Sequence, residues 1–163
     1  QLKQAVALRI SDYVAAGADL VTIHPDACSH PHRVLQALGA MTSVSDPSRP
    51  ILRGAALNPG VPVEWLAPLV DHLELVMLVA INPGWGGQSF MPSTLGRIDD
   101  VRRLIETSGR EILVAVDGGV TRANVGQLAG RGVDIVVTGS AVFAGDVAEN
   151  LASMTSALRG HGN

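Results

Sequence analysis

The sequence has few aromatic residues and no excess of positive charge. Tryptophan, tyrosine and phenylalanine make up 3% of its 163 residues, and the formal net charge at pH 7 is -3. Proteins that bind nucleic acid use basic surfaces to neutralise phosphates and aromatic side chains to stack on bases. The composition therefore argues against a nucleic-acid partner.

The sequence also has little cysteine and no long apolar run. Cys28 is the single cysteine, so no disulfide can form within the chain, and a reducing, cytoplasmic location is predicted. No histidine stands in a clear activating arrangement with this thiol, which predicts a packed residue rather than a nucleophile. No stretch has the length and apolarity of a transmembrane helix or signal peptide, and no charged run suggests a membrane surface.

What the chain does have is a high apolar content arranged in alternating strand and helix patterns. Hydrophobic residues make up 47% and charged residues 17%, which is typical of one globular, sheet-cored domain, here residues 1–163. Alternating strands and helices predict right-handed crossovers and a parallel sheet. The predicted strands are residues 19–24, 53–57, 75–81, 112–116 and 134–138, and the predicted helices are residues 1–16, 30–40, 61–70, 95–108, 122–130 and 147–158.

The predicted strand 75–81 leads into a loop at 82–90 with the sequence Asn-Pro-Gly-Trp-Gly-Gly-Gln-Ser-Phe. Three glycines within four residues let backbone amides approach a ligand closely. The strand before them has no polar alternation, as expected of a strand buried on both faces. Because α/β folds bind ligands at the carboxyl ends of their strands, the loop predicts a site.

Two further strand ends carry candidate chemistry. Asp117 closes the strand 112–116 and precedes Gly118 and Gly119, a placement that favours proton transfer or metal ligation over simple helix capping. After the next strand, the amides of Gly139 and the hydroxyl of Ser140 are suited to hold a phosphate. Five strands and this length alone would favour a doubly wound open sheet over a complete barrel.

These segments together resemble a known family. Ala-Gly-Ala-Asp at 16–19, Ile-His at 23–24, Leu-Asn-Pro at 57–59, the 82–90 loop, Val-Asp-Gly-Gly at 116–119 and Gly-Ser-Ala-Val-Phe at 139–143 occur in the order and spacing of the ribulose-phosphate 3-epimerases. The resemblance implies a (β/α)8 TIM barrel and overrules the open sheet. It aligns the five strands with barrel strands four to eight, so we expect an incomplete barrel of about five βα units, beginning in the third helix.

The resemblance also implies an activity and a set of site residues. The family interconverts D-ribulose 5-phosphate and D-xylulose 5-phosphate in pentose phosphate metabolism, through a metal-stabilised enediolate. Its divalent metal, of the Zn, Fe, Mn or Co type, is held by two histidines and two aspartates, of which Asp117 alone is matched here; Asp117 is also the predicted catalytic residue. The residues predicted to bind the sugar phosphate are Asn82, Gly84, Trp85, Gly86, Gly87, Gln88, Gly118, Gly119, Gly139, Ser140 and His24.

Two other histidines lie in segments that partly resemble the family's metal-ligand segments. His24-Pro25-Asp26 has the spelling of the family's His-x-Asp pair, but its flanks match strand four, where the family has a histidine that is not a ligand. His72 precedes the central strand in a predicted turn and is discounted as a ligand. Two other functions stay open: an allulose-6-phosphate-type epimerase, and a non-catalytic phosphate-binding fragment. Open sheet edges in either case predict a homo-oligomer.

Overall fold

The computed structural model describes residues 2–159, with side chains from residue 9 onward. Its strands are β1 Leu20–Ile23, β2 Leu52–Leu57, β3 Leu75–Val79, β4 Leu113–Asp117 and β5 Ile135–Val137. Its α-helices are α1 Leu2–Ala15, α2 Pro31–Gly39, α3 Ser93–Ser108, α4 Ser140–Phe143 and α5 Val147–Arg159, and 3-10 helices span Pro25–Ala27, Val63–His72 and Val125–Leu128. No helix in this part of the chain combines the length and apolarity needed to cross a bilayer.

The strands form one parallel sheet in the order β1-β2-β3-β4-β5. A doubly wound sheet reverses its strand order partway, whereas the wall of a (β/α)8 barrel adds each strand beside the previous one. The sequential order therefore corrects the open sheet that chain length favours. It confirms the α/β class and is consistent with five βα units of a barrel.

The main core lies between the outer face of the sheet and the helices. Strand residues that alternate toward the helices are almost fully buried, as shown by Ala55, Leu78, Val114 and Val116. Helix α3 contributes its apolar stripe to the same core, with Ile98, Val101 and Ile105 buried as its spacing predicts. The helical layer on this face is therefore well formed around its strands.

The opposite, inner face of the sheet is only partly covered. Five apolar strand residues on this face are 37–45% exposed: Leu20, Leu52, Leu113, Ile135 and Val137. Within residues 2–159, β1 pairs only with β2 and β5 only with β4, so both outer strands have an edge without a partner. An inner apolar surface and two free edges are the features expected of an incomplete barrel.

Two predicted helices differ in the structure. The segment predicted at 61–70 is a 3-10 helix, Val63–His72, and it contains Pro68, which has no N–H for an α-helical hydrogen bond. The predicted helix at 122–130 is wrong in type, because only the short 3-10 helix Val125–Leu128 forms between loop residues that include Gly130 at a φ of +72°. The four-residue helix α4 is too short for periodicity to reveal it.

Candidate active site

A backbone hydrogen bond joins residues on either side of the loop at 82–90, and further hydrogen bonds form inside the loop. The amide of Met91 donates to the carbonyl of Ala80 at 2.9 Å, which brings the ends of the loop together. Inside it, the Gln88 side-chain amide donates to the carbonyls of Asn82 at 2.5 Å and Trp85 at 2.9 Å, and its oxygen accepts from the Asn82 amide at 3.2 Å. The Gln88 side chain therefore holds the loop's own backbone together.

The turn after β4 packs directly against this loop. Gly119 has a φ of +66°, and a Cβ built on it would lie 2.4 Å from the backbone nitrogen and 2.6 Å from the Cα of Phe90. Gly118, with a φ of +104°, approaches the Ile81 side chain in the same way, since a Cβ there would lie only 2.6 Å from Cγ1. Glycine is required at both positions by the conformation and by the lack of space.

Asp117 ends β4 at the mouth formed by these two segments. In the sheet register it lies beside Val79 of β3 and Val137 of β5, at the carboxyl ends of all three strands. Its half-buried side chain lines a cleft of about 700 Å³. Among the described residues lining that cleft, Asp117 is the one with an ionisable side chain. A half-buried carboxylate facing an uncharged cleft is suited to exchanging a proton with a bound ligand.

The segment after β5 forms the other side of the cleft. Thr138, Gly139 and Ser140 line it, and the Thr138 hydroxyl donates to the carbonyl of Val120 at 3.0 Å. This bond fixes the end of β5 to the turn that follows β4. The described lining has no basic side chain, so an anionic group in the cleft would be held by backbone amides and hydroxyls.

The structure brings most, but not all, of the predicted site residues together. The cleft lining contains Asp117 together with Gly86, Gly87, Gln88, Gly118, Gly119, Gly139 and Ser140. Asn82, Gly84 and Trp85 belong to the same loop but lie outside that lining, and the Trp85 side chain is 66% exposed. His24 lies apart, at the end of β1. Binding by each of these residues stays a prediction.

A second polar cluster, beside His24, was not predicted from the sequence. Asn58, at the end of β2, donates from its side chain to the Asp26 carboxylate at 3.1 Å. Arg97 of α3 donates from one guanidinium nitrogen to the carbonyls of Asn58 at 3.0 Å and Val61 at 2.8 Å, and burial lowers the pKa of Arg97. One atom of each of four side chains is buried without a hydrogen-bond partner: His24 Nδ1, Asp26 Oδ1, Asn58 Oδ1 and Arg97 Nη1.

The residues present do not fit the divalent metal implied by the family resemblance. Within residues 2–159, no three histidine, cysteine, aspartate or glutamate side chains come close enough together to hold a metal ion. Asp117 is the one matched ligand, and a single carboxylate is not a metal site. His24 and Asp26 do not complete the four-ligand site implied by the family with Asp117, because no third side chain of this kind joins them in the described part of the chain.

Comparison with known proteins places this architecture in context. The sequence profile of the ribulose-phosphate 3 epimerase family matches residues 2–143. The ribulose-phosphate 3-epimerase of Escherichia coli (strain K12) is 40% identical over 134 residues, which cover 82% of this chain and 56% of that protein. The chloroplastic ribulose-5-phosphate-3-epimerase of Arabidopsis thaliana is 35% identical over 154 residues, covering 93% of this chain and 52% of that protein.

The chain thus spans about half the length of the curated relatives it matches. Among solved structures, KGPDC from Streptococcus mutans aligns with a TM-score of 0.65 at 14% identity, over 97% of this chain and 67% of that one. At this identity the likeness concerns the fold alone. The sequence relatives confirm the family resemblance, and the solved structure is consistent with the barrel fold.

Proposed function

Because the chain belongs to the ribulose-phosphate 3 epimerase family, we propose that it contributes to epimerisation at carbon 3 of a ketose 5-phosphate, D-ribulose 5-phosphate. The observation that carries the proposal is the position of Asp117. Its carboxylate is the one ionisable side chain in the described lining of the cleft between the 82–90 loop and the segment after β5. The relatives' names supply the substrate class, and the cleft supplies a proton-transfer group.

In this proposal Asp117 exchanges the carbon-3 proton on one face of the sugar. A carboxylate at this position removes a proton next to the carbonyl, and as the acid it returns one from the same face. The amides of Gly139 and Ser140 hold the phosphate, and the 82–90 loop excludes water from the reacting carbon. No step is assigned to a metal, since the described residues do not form a site for one.

Inversion at carbon 3 requires a second proton-transfer group on the opposite face. The described lining of the cleft offers no second ionisable side chain. This observation favours one further candidate function, a unit that binds a sugar phosphate without turning it over. Allulose 6-phosphate is the alternative substrate for either function.

The test compares turnover with binding in matched variants. Epimerisation of D-ribulose 5-phosphate and of allulose 6-phosphate is measured for the chain and for Asp117→Asn. Glu111→Gln serves as the control, because Glu111 is exposed and lies just before the amino end of the same strand. Sugar-phosphate binding is followed by the fluorescence of Trp85 in a Trp65→Phe background, since the Trp85 ring is exposed on the loop.

We expect Asp117→Asn to lose at least about a hundredfold in turnover, the scale of a lost general acid or base, while phosphate binding changes little. The control variant should behave as the parent chain. Near-full turnover in Asp117→Asn would remove Asp117 from the mechanism. Saturable binding without turnover in the parent chain would instead support the binding-only function.

A further inference from the structure

Two histidines from different elements meet on the surface away from the cleft. His32 lies in the first turn of α2, and His72 is the last residue of the 3-10 helix Val63–His72. Their Nε2 atoms are 3.0 Å apart, and the two rings are nearly perpendicular, with centroids 4.6 Å apart and an interplanar angle of 86°. His32 is exposed and His72 is half-buried.

This spacing matches that of two imidazole ligands on one metal ion. At a metal–nitrogen distance of about 2.05 Å, two nitrogens lie about 2.9 Å apart at a right angle and about 3.3 Å apart at the tetrahedral angle. The observed 3.0 Å falls between these two values. The Nε2 atoms of the pair are therefore already at the separation that a shared ion needs, without movement of either backbone element.

The charges around the pair also permit a cation. Burial, followed by the nearby His32, Arg53 and Arg110, lowers the pKa of His72, against the opposing effect of Asp71. The positive charge of Arg53 is already paired, because its guanidinium donates to Glu74 at 2.6 Å. Asp71, next to His72, carries a negative charge that favours a bound cation.

From this geometry we infer that His32 and His72 form a binding site for a divalent transition metal of the Cu²⁺, Ni²⁺ or Zn²⁺ class, for which imidazole is a preferred ligand. No third histidine, cysteine, aspartate or glutamate joins them within residues 2–159, so water occupies the remaining coordination positions. The ion links α2 to the 3-10 helix Val63–His72. This site is separate from the proposed epimerase cleft and does not depend on that function.

The experiment uses the 163-residue chain after removal of metals with a chelator. Binding of Cu²⁺, Ni²⁺ and Zn²⁺ is measured by titration calorimetry for the parent chain and for His32→Gln and His72→Gln. His30→Gln is the matched control, since it removes one imidazole two residues from His32 and leaves the pair intact. Asp117→Asn controls for metal bound in the cleft. Electron paramagnetic resonance of the Cu²⁺ complex counts the nitrogen ligands.

We expect one ion per chain, with Cu²⁺ bound more tightly than Ni²⁺ or Zn²⁺. Loss of either His32 or His72 should weaken Cu²⁺ binding at least about tenfold and reduce the nitrogen ligands from two to one. His30→Gln and Asp117→Asn should change the affinity less than about twofold. At a hundredfold excess of Cu²⁺ over its Kd, the Tm of the parent chain should rise by about 5–10 °C, and at the same Cu²⁺ concentration the Tm of His72→Gln should rise by at most about half as much.

Three results would overturn the inference. Unchanged affinity in both His32→Gln and His72→Gln would place the ion elsewhere. Loss of binding in Asp117→Asn would assign it to the cleft. Absence of saturable binding up to roughly 1 mM metal would leave the pair as a simple N–H···N hydrogen bond. Circular dichroism of each variant excludes unfolding as the cause of a loss, which is not expected for substitutions at this surface.

Discussion

The contact between the turn after β4 and the 82–90 loop can be tested by adding one methyl group. In Gly119→Ala the new Cβ would lie 2.4 Å from the nitrogen and 2.6 Å from the Cα of Phe90, and 2.9 Å from the carbonyl carbon of Ser89. All three atoms are backbone, so no side-chain rotation relieves the overlap. The loop must move away from β4, and with it one wall of the cleft that Asp117 lines.

Gly109→Ala is the matched control for this substitution. Gly109 also has a φ of +66°, but a Cβ built there meets no atom within 4 Å. Both variants therefore place a Cβ in the left-handed backbone conformation, which costs about 1 kcal/mol each through crowding with the backbone. Only Gly119→Ala adds an overpacking cost, typically about 2 kcal/mol. The expected losses of unfolding free energy are thus about 1 kcal/mol for Gly109→Ala and about 3 kcal/mol for Gly119→Ala.

Thermal unfolding followed by circular dichroism, at one protein concentration, measures the difference. For a chain of this size the losses correspond to Tm decreases of about 2–4 °C for Gly109→Ala and about 6–12 °C for Gly119→Ala. Fluorescence of Trp85 should also change in Gly119→Ala alone, because only that variant displaces the loop. Equal Tm decreases in the two variants would refute the backbone contact and leave only the conformational cost.

Three further predictions concern stability and association. Burial alone would raise the pKa of Glu74, but side-chain and backbone hydrogen bonds from Arg53 outweigh it and lower that pKa below 4.5. Glu74→Gln should therefore lower the free energy of unfolding by about 2 kcal/mol at neutral pH. The difference in urea unfolding between the parent chain and Glu74→Gln should disappear as the pH falls from 4.5 through the lowered pKa of Glu74. Arg97→Met removes the two guanidinium hydrogen bonds to backbone carbonyls and should lower the free energy of unfolding by about 3 kcal/mol in the same assay. A loss under about 0.5 kcal/mol would contradict a stabilising role for these two hydrogen bonds. Sedimentation velocity of the 163-residue chain should show dimers or larger species, because the free edges of β1 and β5 can pair with another copy. A monodisperse monomer would contradict this prediction.

Hydrophobic pattern predicted the central strands better than the short helices. The run that includes β3 is apolar without interruption, and all five strands fall within two residues of their predicted starts and ends. Glycine-rich, short segments carry no such signal. The region predicted as a helix at 122–130 instead uses the Asn124 side chain, which accepts from the Thr121 amide at 2.7 Å and donates to the Gly119 carbonyl at 3.0 Å. These local bonds compete with helix formation.

Glycine spacing predicted where the candidate site lies but not how its parts are held. The glycines at 84–87 and 118–119 mark turns that are evident in the sequence itself. The contact of Gly119 with Phe90, however, joins segments far apart in the chain, and nothing local indicates it. The same is true of the bond from Arg97 to the Asn58 carbonyl, which spans 39 residues. Contacts of this kind follow from the sheet order, which pattern alone left undecided.

The sheet order also explains why the outer face of the sheet is well packed whereas its inner face and the cleft are only partly covered. On the outer face β1 to β4 pack against helices formed from neighbouring sequence, and Leu78, Val114 and Val116 are completely buried there. The inner face and the cleft depend instead on strands meeting across the barrel, and there Leu113 and Val137 stay 45% and 39% exposed. Because burial of apolar area stabilises a fold, the more fully buried outer layer contributes more of this stabilisation than the inner face does. Five parallel strands therefore suffice to place Asp117 at a strand end in the lining of the cleft, whereas the second proton-transfer group that the proposed epimerisation needs is not among the described residues of that lining.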